Sequence, residues 1–584
     1  LDGVGGGPAP RPGSAIVQDG NRWLRFETPG RVLTAFSADE VRPALRDLDD
    51  ATRGGLWAAG FVSYEAAAAF GFAVRPPEPG LPLVWFGLYR EAVDATAPAV
   101  DDAPVAASTW EPALDPGAYA RAFEALQERI ARGDTYQVNF TFPLRAAFGA
   151  DPWAFFRSLR LLQRGGHAAY VDTGRFVVCS ASPELFFRWE GDRLVTRPMK
   201  GTARRGRTAA EDEACALALA ASEKDRAENL MIVDMLRNDL GRVAVTASVE
   251  VTDLFTVERY PTLLQMTSTV EARSAAGIAE ILAALFPCAS VTGAPKTRTM
   301  EIIAETESAP RGVYTGAVGW VGPGRGACFN VAIRTAVLDR ERGEARFGVG
   351  SGVVADSDPA REYAECLLKA RVLAGPAFRL LETMRFSPEE GFVLEDAHVS
   401  RLLGSAAHFG APVSRTRVEE ELRGLACRLI GPSRVRLLVD LDGRIELQTT
   451  PLEAEAPRPL RAALAQSPVD DSSPWLFHKT TRRDVYDEAL AAHPEADDVV
   501  LWNRRGEVTE ACLHNVLVDL GHGPVTPPVT SGLLAGTFRG HLLATGQVRE
   551  QVVTVAELRA RPSFFLVNSV AGRCEAIWAE DETP

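Results

Sequence analysis

At Ala374-Gly375-Pro376 a helical pattern stops, and a strand-like run, Leu380-Leu381-Glu382-Thr383-Met384-Arg385-Phe386, begins. Proline has no N–H to give a helix and glycine readily ends one, so no single element crosses this point. The chain therefore divides near residue 376 into separately folded parts. Its 584 residues suffice for roughly two to four domains, each with its own core. With 46% hydrophobic and 24% charged residues it reads as an ordinary globular sequence.

No apolar run reaches the roughly eighteen residues of a membrane span, and the Gly/Pro-rich stretch Leu1 to Gly13 does not read as a signal peptide. A net charge of −14 speaks against nucleic acid and anionic membranes as partners, although a single cleft can still be basic. The eight cysteines are scattered without a CxxC pair, which fits a reducing, cytoplasmic setting and no structural zinc.

Residues 14–90 read as short strands with one or two helices, and residues 93–117, rich in Ala, Pro and Asp, as a linker or surface crossover. Tyr119, Phe123, Leu126 and Ile130 mark a helix between Asp115 and Gly133, after which a turn leads into an alternating strand. Ser222 with Asp225 opens a helix over 222–240. Asp358 with Pro359 opens another, on which Glu362 and Glu365 share a face.

Lysine is scarce: of 63 basic residues only Lys200, Lys224, Lys296, Lys369 and Lys479 are lysines. Arginine keeps its proton, whereas a partly buried lysine can lose it and act as nucleophile or Schiff-base former. A plain surface role is the alternative for each, and the neighbours of Lys200 and Lys479 count against it there. Histidine is absent from 1–166 and from 168–397. Acid–base chemistry between 110 and 375 therefore falls to carboxylates, Lys, Tyr or His167.

Six blocks in register resemble the chorismate-using synthases, in the form of aminodeoxychorismate synthase component I. They are Tyr136-Gln137-Val138-Asn139; Ser182-Pro183-Glu184; Arg197-Pro198-Met199-Lys200-Gly201-Thr202; Glu228-Asn229-Leu230-Met231-Ile232-Val233-Asp234 with Arg237-Asn238-Asp239; Gly293-Ala294-Pro295-Lys296; and residues 350–359. Gly60-Phe61-Val62-Ser63-Tyr64-Glu65 resembles a segment of the synthases' N-terminal half. The resemblance implies an α+β chain. A shortened N-terminal half (1–105) and a chorismate-binding domain (106–375) would form a large two-layer β-sandwich with helices. Tyr314, Arg334 and the backbone of Gly350 to Gly352 would grip a carboxylate of chorismate, with Gln137, Thr202 and Lys369 as further substrate contacts. Glu228 and Glu365 would hold Mg²⁺, with Glu362 beside them.

The implied reaction is covalent. Lys200 attacks C2 of chorismate while Glu184 protonates the departing 4-hydroxyl; ammonia then attacks C4 and expels the lysine. Arg204, Arg205 and burial are expected to keep Lys200 neutral. Gln137 cannot deprotonate water, which favours ammonia as nucleophile. Anthranilate synthases carry Ala where Lys200 stands and His where Gln265 stands, so both positions favour the branch that stops before pyruvate is eliminated. No Gly-x-Cys-x-Gly nucleophile elbow occurs. Ammonia would come from solution or from a separate glutamine amidotransferase subunit.

Residues 376–584 resemble fold-type IV pyridoxal-phosphate enzymes, specifically aminodeoxychorismate lyase. The carrying blocks are Glu395-Asp396-Ala397-His398-Val399-Ser400-Arg401-Leu402, Phe477-His478-Lys479-Thr480-Thr481, residues 506–511 and residues 531–539. The resemblance makes Lys479 the Schiff-base lysine and Arg401 a phosphate ligand. Glu510 is the partner of the pyridine nitrogen, and Tyr486, Gly536, Thr537 and Ser569 are cofactor contacts, with Thr383 in the active site. It departs from the family at His514-Asn515 and at Val570-Ala571-Gly572-Arg573, where substrate contacts would lie. Relatives dimerise through this half, which raises a homodimer. Together the halves imply synthesis of 4-aminobenzoate, the folate precursor, from chorismate and ammonia. The competing reading is an anthranilate or 2-amino-2-deoxyisochorismate synthase fused to a branched-chain or D-amino-acid-type aminotransferase; Lys200 and Gln265 argue against it. A catalytically degenerate scaffold is a further alternative, opposed by the presence of Lys200, Glu184, Lys479 and Glu510.

Overall fold

The computed structural model describes residues 9–98, 109–163, 165–260, 263–373, 378–452 and 458–579. Ala374-Gly375-Pro376 and the middle of the 93–117 stretch lie outside them. The chain forms two compact units: Leu1–Arg204 with Cys215–Ala377, and Arg205–Ala214 with Phe378–Pro584.

The first unit contains two ten-stranded sheets, each a path of nine strands with a tenth paired beside it: Glu111–Pro112 on Gln137–Ala147 in one, Glu250–Arg259 on Leu263–Arg273 in the other. One runs Gly293–Ala294, Gln137–Ala147, Glu344–Val353, Thr335–Asp339, Phe176–Ser182, His167–Asp172, Ala15–Asp19, Arg22–Phe26, Val93–Ala95. The other runs Met199–Arg204, Leu263–Arg273, Arg193–Arg197, Leu185–Glu190, Gly326–Val331, Ala317–Gly322, Trp57–Val62, Val84–Tyr89, Arg31–Ala35. Strands from before and after residue 105 pair within both sheets, so the two stretches fold as one body. Val93–Ala95, expected in a crossover, is instead the edge strand beside Arg22–Phe26.

Alternation of apolar residues buries one face of each sheet against the other. Leu24, Phe26, Val171 and Val178 from the first sheet share a core with Phe61, Trp85, Val318 and Trp320 from the second. Helices cover the outer faces. Tyr119, Phe123 and Leu126 of Pro116–Ala131 pack with Phe140, Phe142 and Phe347 on the first sheet. Each such fully buried aromatic contributes roughly 1.5–3 kcal/mol of burial free energy. Asp115 caps that helix by accepting from Ala118 N, and Asp358 caps Pro359–Ala370 by accepting from Arg361 N.

The second unit holds a four-stranded sheet that includes Leu380–Ser387 and Ser433–Val439. It also holds an eight-stranded sheet that includes Asp498–Trp502, Val508–Ala511, Asn515–Asp519 and Ser563–Asn568. Among the described residues no helix is long and apolar enough to cross a membrane.

Candidate active sites

In the first unit the strand Met199–Arg204 pairs with Leu263–Arg273, but not evenly. Met199 faces Thr267 and Thr202 faces Gln265, so the lysine strand carries one extra residue there. Gly201 takes φ +93°, a conformation that glycine adopts without cost. This bulge re-aims Lys200 out of the regular pleat. Amide side chains hold it: Asn229 Nδ2 donates to Lys200 O at 3.3 Å and Gln265 Nε2 to Gly201 O at 3.0 Å. Thr202 Oγ1 in turn donates to Gln265 Oε1 at 3.2 Å. Gln265 thus supports the lysine loop through its amide.

The strands Gln137–Ala147 and Glu344–Val353 pair from Val138↔Val353 to Ala147↔Glu344. This ladder brings Gly350 and Gly352 beside the segment that carries Gln137. A Cβ built on Gly352 would overlap Lys200 Nζ and lie 2.8 Å from Gln137 Nε2. Lys200, Gln137 and Gly352 therefore meet at one point, and the missing side chain of Gly352 is the space the amine occupies. Gln137 is buried, and its Oε1 has no hydrogen-bond partner among the described residues. We expect Gly352→Ala to lower turnover by about 10²-fold by displacing the amine. Its melting temperature should change little, because the overlap is with the tip of a flexible side chain. Thermal unfolding alongside steady-state kinetics checks both halves of this expectation.

Burial holds the Lys200 amine below its usual pKa; Glu228 opposes that shift and the Lys369 charge adds to it, with Glu365 and Glu362 opposing further. The expected cations Arg204 and Arg205 are not among the charges that act most strongly on it. Arg205 belongs to the second unit, where its Nε and Nη2 bind Asp212 at 2.7 and 3.0 Å and Nη2 also donates to His408 O at 2.7 Å. The strand that carries Lys200 ends at Arg204.

Glu184 is buried, and burial raises its carboxyl to about 7 despite Ser290 and the Lys200 charge, both of which lower it. Ser290 Oγ donates to Glu184 Oε1 at 2.6 Å. Ser290 carries no role in the motif reading; its one sequence cue is its place just before Gly293-Ala294-Pro295-Lys296. The one imidazole of this unit, His167, is lowered by burial to about 4, with the Arg188 and Arg197 charges adding to the shift and Asp19 opposing it.

Lys369 Nζ donates to Gly350 O at 2.8 Å and pairs with Glu365 at 2.7 Å. Burial pushes the Glu365 carboxyl up, but Lys369 more than offsets it and holds it below the usual range. Burial raises Glu228, with Lys200 opposing. Arg334, at φ +51°, donates to Lys369 O, and burial lowers its guanidinium to about 10. The ring of Tyr314 lies against Gly348, where any Cβ would overlap it. Among the described residues no three His, Cys, Asp or Glu side chains converge as a metal cage, so Glu228, Glu362 and Glu365 do not form a three-carboxylate site. Hard carboxylate oxygens grouped around Lys200 do fit the looser arrangement Mg²⁺ tolerates, with one or two carboxylates completed by substrate oxygens and water. Of the remaining lysines, Lys296 is structural, paired with Asp239 at 2.5 Å and donating to Pro287 O at 2.9 Å, and Lys224 is exposed.

In the second unit Lys479 lies on the loop after Pro474–Leu476, tied to the sheet by Leu381 N donating to Lys479 O at 3.0 Å. Burial, reinforced by Arg401, lowers its amine to about 8, against the pull of Glu382. Glu510 is buried and raised by that burial to about 7. It accepts from Tyr486 OH at 2.8 Å, Leu534 N at 3.0 Å and Asn515 Nδ2 at 3.3 Å. Gly536 is pressed against Asn515 Oδ1, which a Cβ would overlap, and opens the helix Thr537–Ala544. Arg401 is held by Glu382 through Nε at 2.9 Å and Nη2 at 2.6 Å. His398 Nε2 lies 2.9 Å from Ser569 Oγ and 3.1 Å from Thr537 Oγ1, and Ser569 Oγ lies 3.3 Å from Thr383 O. The expected cofactor residues thus form two clusters, Glu510 with Tyr486, and Arg401 with Thr537 and Ser569. The Lys479 amine feels the charges of Arg401 and Glu510, one from each cluster. These donors fit pyridoxal phosphate: a carboxyl poised for a ring nitrogen, a basic group with hydroxyls for a phosphate, and a lysine whose amine is easily freed of its proton.

Comparison with known proteins finds a match for each part of the chain. Residues 23–375 match the chorismate binding enzyme family and residues 379–574 the amino-transferase class IV family. An aminodeoxychorismate synthase of Streptomyces griseus is 45% identical over 273 residues, 46% of this chain and 37% of the relative. Component 1 of the Bacillus subtilis aminodeoxychorismate synthase is 39% identical over 274 residues, 47% of this chain and 56% of the relative. An anthranilate synthase component 1 of Haloarcula marismortui is 41% identical over 280 residues, 47% of this chain and 57% of the relative. The chain spans little more than half, or less, of the length of these relatives.

Proposed function

For a chain that belongs to the chorismate binding enzyme family over residues 23–375 and carries a class IV amino-transferase domain behind it, we propose two successive reactions that make 4-aminobenzoate. The first unit converts chorismate and ammonia to 4-amino-4-deoxychorismate, and the second eliminates pyruvate from that product. The observation that carries the reading is Lys200, a buried amine of lowered basicity set beside Gln137 and Gly352 and electrostatically coupled to the protonatable carboxyl of Glu184.

In the first reaction the lysine amine forms a bond to C2 of chorismate as the C4–O bond breaks, and the proton of Glu184 goes to the leaving oxygen. Ammonia then bonds to C4, and the C2–N bond to Lys200 breaks. Arg334, Tyr314, Lys369, Thr202 and the backbone of Gly350 and Gly352 orient the dianion. Glu228 and Glu365, with Glu362 near, would hold Mg²⁺, which when bound neutralises developing negative charge on substrate oxygens. A separate glutamine amidotransferase subunit supplies the ammonia, as the name "component 1" of the Bacillus relative suggests.

In the second reaction bound pyridoxal phosphate supplies an electron sink. Lys479 holds the group, then takes the substrate's α-proton and returns a proton to the departing side. Glu510, kept in place by Tyr486, Asn515 and Leu534 N, keeps a proton at the ring nitrogen. A cytoplasmic location and a homodimer through this unit complete the proposal.

The test is one incubation of the protein with chorismate, Mg²⁺, an ammonium salt and pyridoxal phosphate, with aromatic products identified by mass. 4-Aminobenzoate supports the reading. Anthranilate would favour the second reading, which the similarity to the Haloarcula anthranilate synthase keeps in view. Gln265, hydrogen-bonded to the lysine loop where that reading needs an imidazole, speaks against it.

Glu184 gives this reading a pH signature. Its carboxyl, raised to about 7, carries the proton to be donated below that pH and loses it above. Synthase turnover should therefore fall as pH rises through about 7. Glu184→Gln should cost about 10²–10⁴-fold and abolish that alkaline limb. A mutant profile parallel to that of the wild type would remove Glu184 as the acid.

A further inference from the structure

Two side chains to which the sequence reading gives no role, Glu382 and His398, link Arg401, Thr537 and Ser569. Glu382 is the one charge in the apolar run Leu380-Leu381-Glu382-Thr383-Met384, and it is 1% exposed. A buried carboxylate is costly unless its oxygens are satisfied. Oε1 accepts Arg401 Nε at 2.9 Å, while Oε2 accepts Arg401 Nη2 at 2.6 Å and faces His398 Nδ1 at 2.7 Å. Burial alone would raise this carboxyl, but Arg401 and His398 hold it at about 2, so it stays charged.

The donors left over point to a ligand. A guanidinium has five N–H bonds. Two of those on Arg401 go to Glu382 and a third, from Nη1, to Ala535 O at 3.0 Å. One N–H on each terminal nitrogen remains, and the Arg401 side chain is 14% exposed, so the group is reachable. His398 has no exposure to speak of, at 1%. With Nδ1–H turned to Glu382, its Nε2 offers one lone pair to two hydroxyls, Ser569 at 2.9 Å and Thr537 at 3.1 Å. Only one of them can donate to it. Ala535, Gly536 and Thr537 lead into the helix Thr537–Ala544, whose first N–H groups also favour an anion.

We propose that Glu382 and His398 are positioning residues for a phosphate monoester: Glu382 locks the Arg401 guanidinium by its Nε–Nη2 edge, and His398 fixes the Ser569 and Thr537 hydroxyls beside it. The proposal rests on the reading of this unit as a pyridoxal-phosphate site and assigns how its phosphate end is built. Without the carboxylate the guanidinium has no fixed direction, and its attraction for an anion is no longer aimed.

The test compares two probes on the full chain, pyridoxal phosphate and pyridoxal, which lacks the phosphate. Both aldehydes condense with the Lys479 amine, losing water, and the resulting imine absorbs in the visible. Wild-type protein should bind the phosphate form far more tightly. Glu382→Gln keeps the shape but presents an amide N–H₂ to Arg401. It should reduce that preference, the ratio of the two affinities, about tenfold or more; Glu382 also acts on the Lys479 amine, but both aldehydes condense with that amine, so the ratio isolates the phosphate end. His398→Gln should shift it the same way by less. A pyridoxal band that still forms shows that the variants are folded. An equal loss for both probes, or an unchanged preference, overturns the proposal. A wild-type protein that yields no visible band with either probe overturns the cofactor reading itself.

Discussion

Replacing Lys200 with alanine is expected to lower 4-amino-4-deoxychorismate formation by about 10³-fold or more while leaving the visible absorbance of the pyridoxal-phosphate-loaded protein unchanged. The size of the effect follows from position. Lys200 sits on a bulge fixed by Asn229 and Gln265, with its amine in the space left open by Gly352. No other amine can take its place: Lys369 is committed to Glu365 and Gly350 O, and Lys296 to Asp239. Lys200→Arg should be as inactive as the alanine variant, because a guanidinium does not surrender its proton to become a nucleophile. An arginine variant with appreciable activity would show that the cation matters and that covalent attack does not. The amine adduct on chorismate should also appear by intact-protein mass in the wild type when ammonia is withheld.

Lys479→Ala is expected to abolish both the visible band and 4-aminobenzoate formation, with chorismate still consumed and the amino intermediate accumulating. The drop should again be at least about 10³-fold, since no other lysine lies in the second unit. The wild type adds a pH test. The Lys479 amine titrates at about 8, below its ordinary value because of burial and Arg401. The reactive neutral form is therefore the minority below pH 8 and the majority above it. On adding pyridoxal phosphate to the cofactor-free protein, the rate at which the band appears should rise close to tenfold per pH unit up to about 8 and then level off. A rate flat from pH 6 to 9 would mean that the amine is not held as the structure indicates.

The parts of both sites that lie inside one short block are legible in the sequence. Lys200 and Glu510 fall on strands with their chemistry intact, and the caps Ser222 and Asp358 lie where their spacing puts them. What is hidden is whatever depends on distant partners. Arg204 and Arg205 adjoin the lysine block in sequence, yet the charge that helps depress Lys200 comes from Lys369 on another element. Ser290 becomes informative only once the short 3-10 turn Ala289–Val291 brings it to Glu184. Glu382 and His398 likewise acquire meaning only when Ser569, far along the chain, closes on them. Val93–Ala95 is poor in strand formers and pairs because Arg22–Phe26 offers an open edge, which composition does not reveal.

The ladder between Gln137–Ala147 and Glu344–Val353 has a consequence for how such a gene can change. Ten consecutive pairs, from Val138↔Val353 to Ala147↔Glu344, fix which residues face Lys200. Deleting a single codon anywhere along either strand would turn every following side chain to the opposite face, bringing Ser351 or Val353 where the amine needs bare backbone. Substitutions there can be graded, but changes of length are all-or-nothing. Insertions and deletions should therefore collect beyond the ladder's ends, around Gly149 to Asp151 and Arg340 to Gly343, and a nucleotide-level survey of relatives would read the site's geometry as a stretch of invariant length.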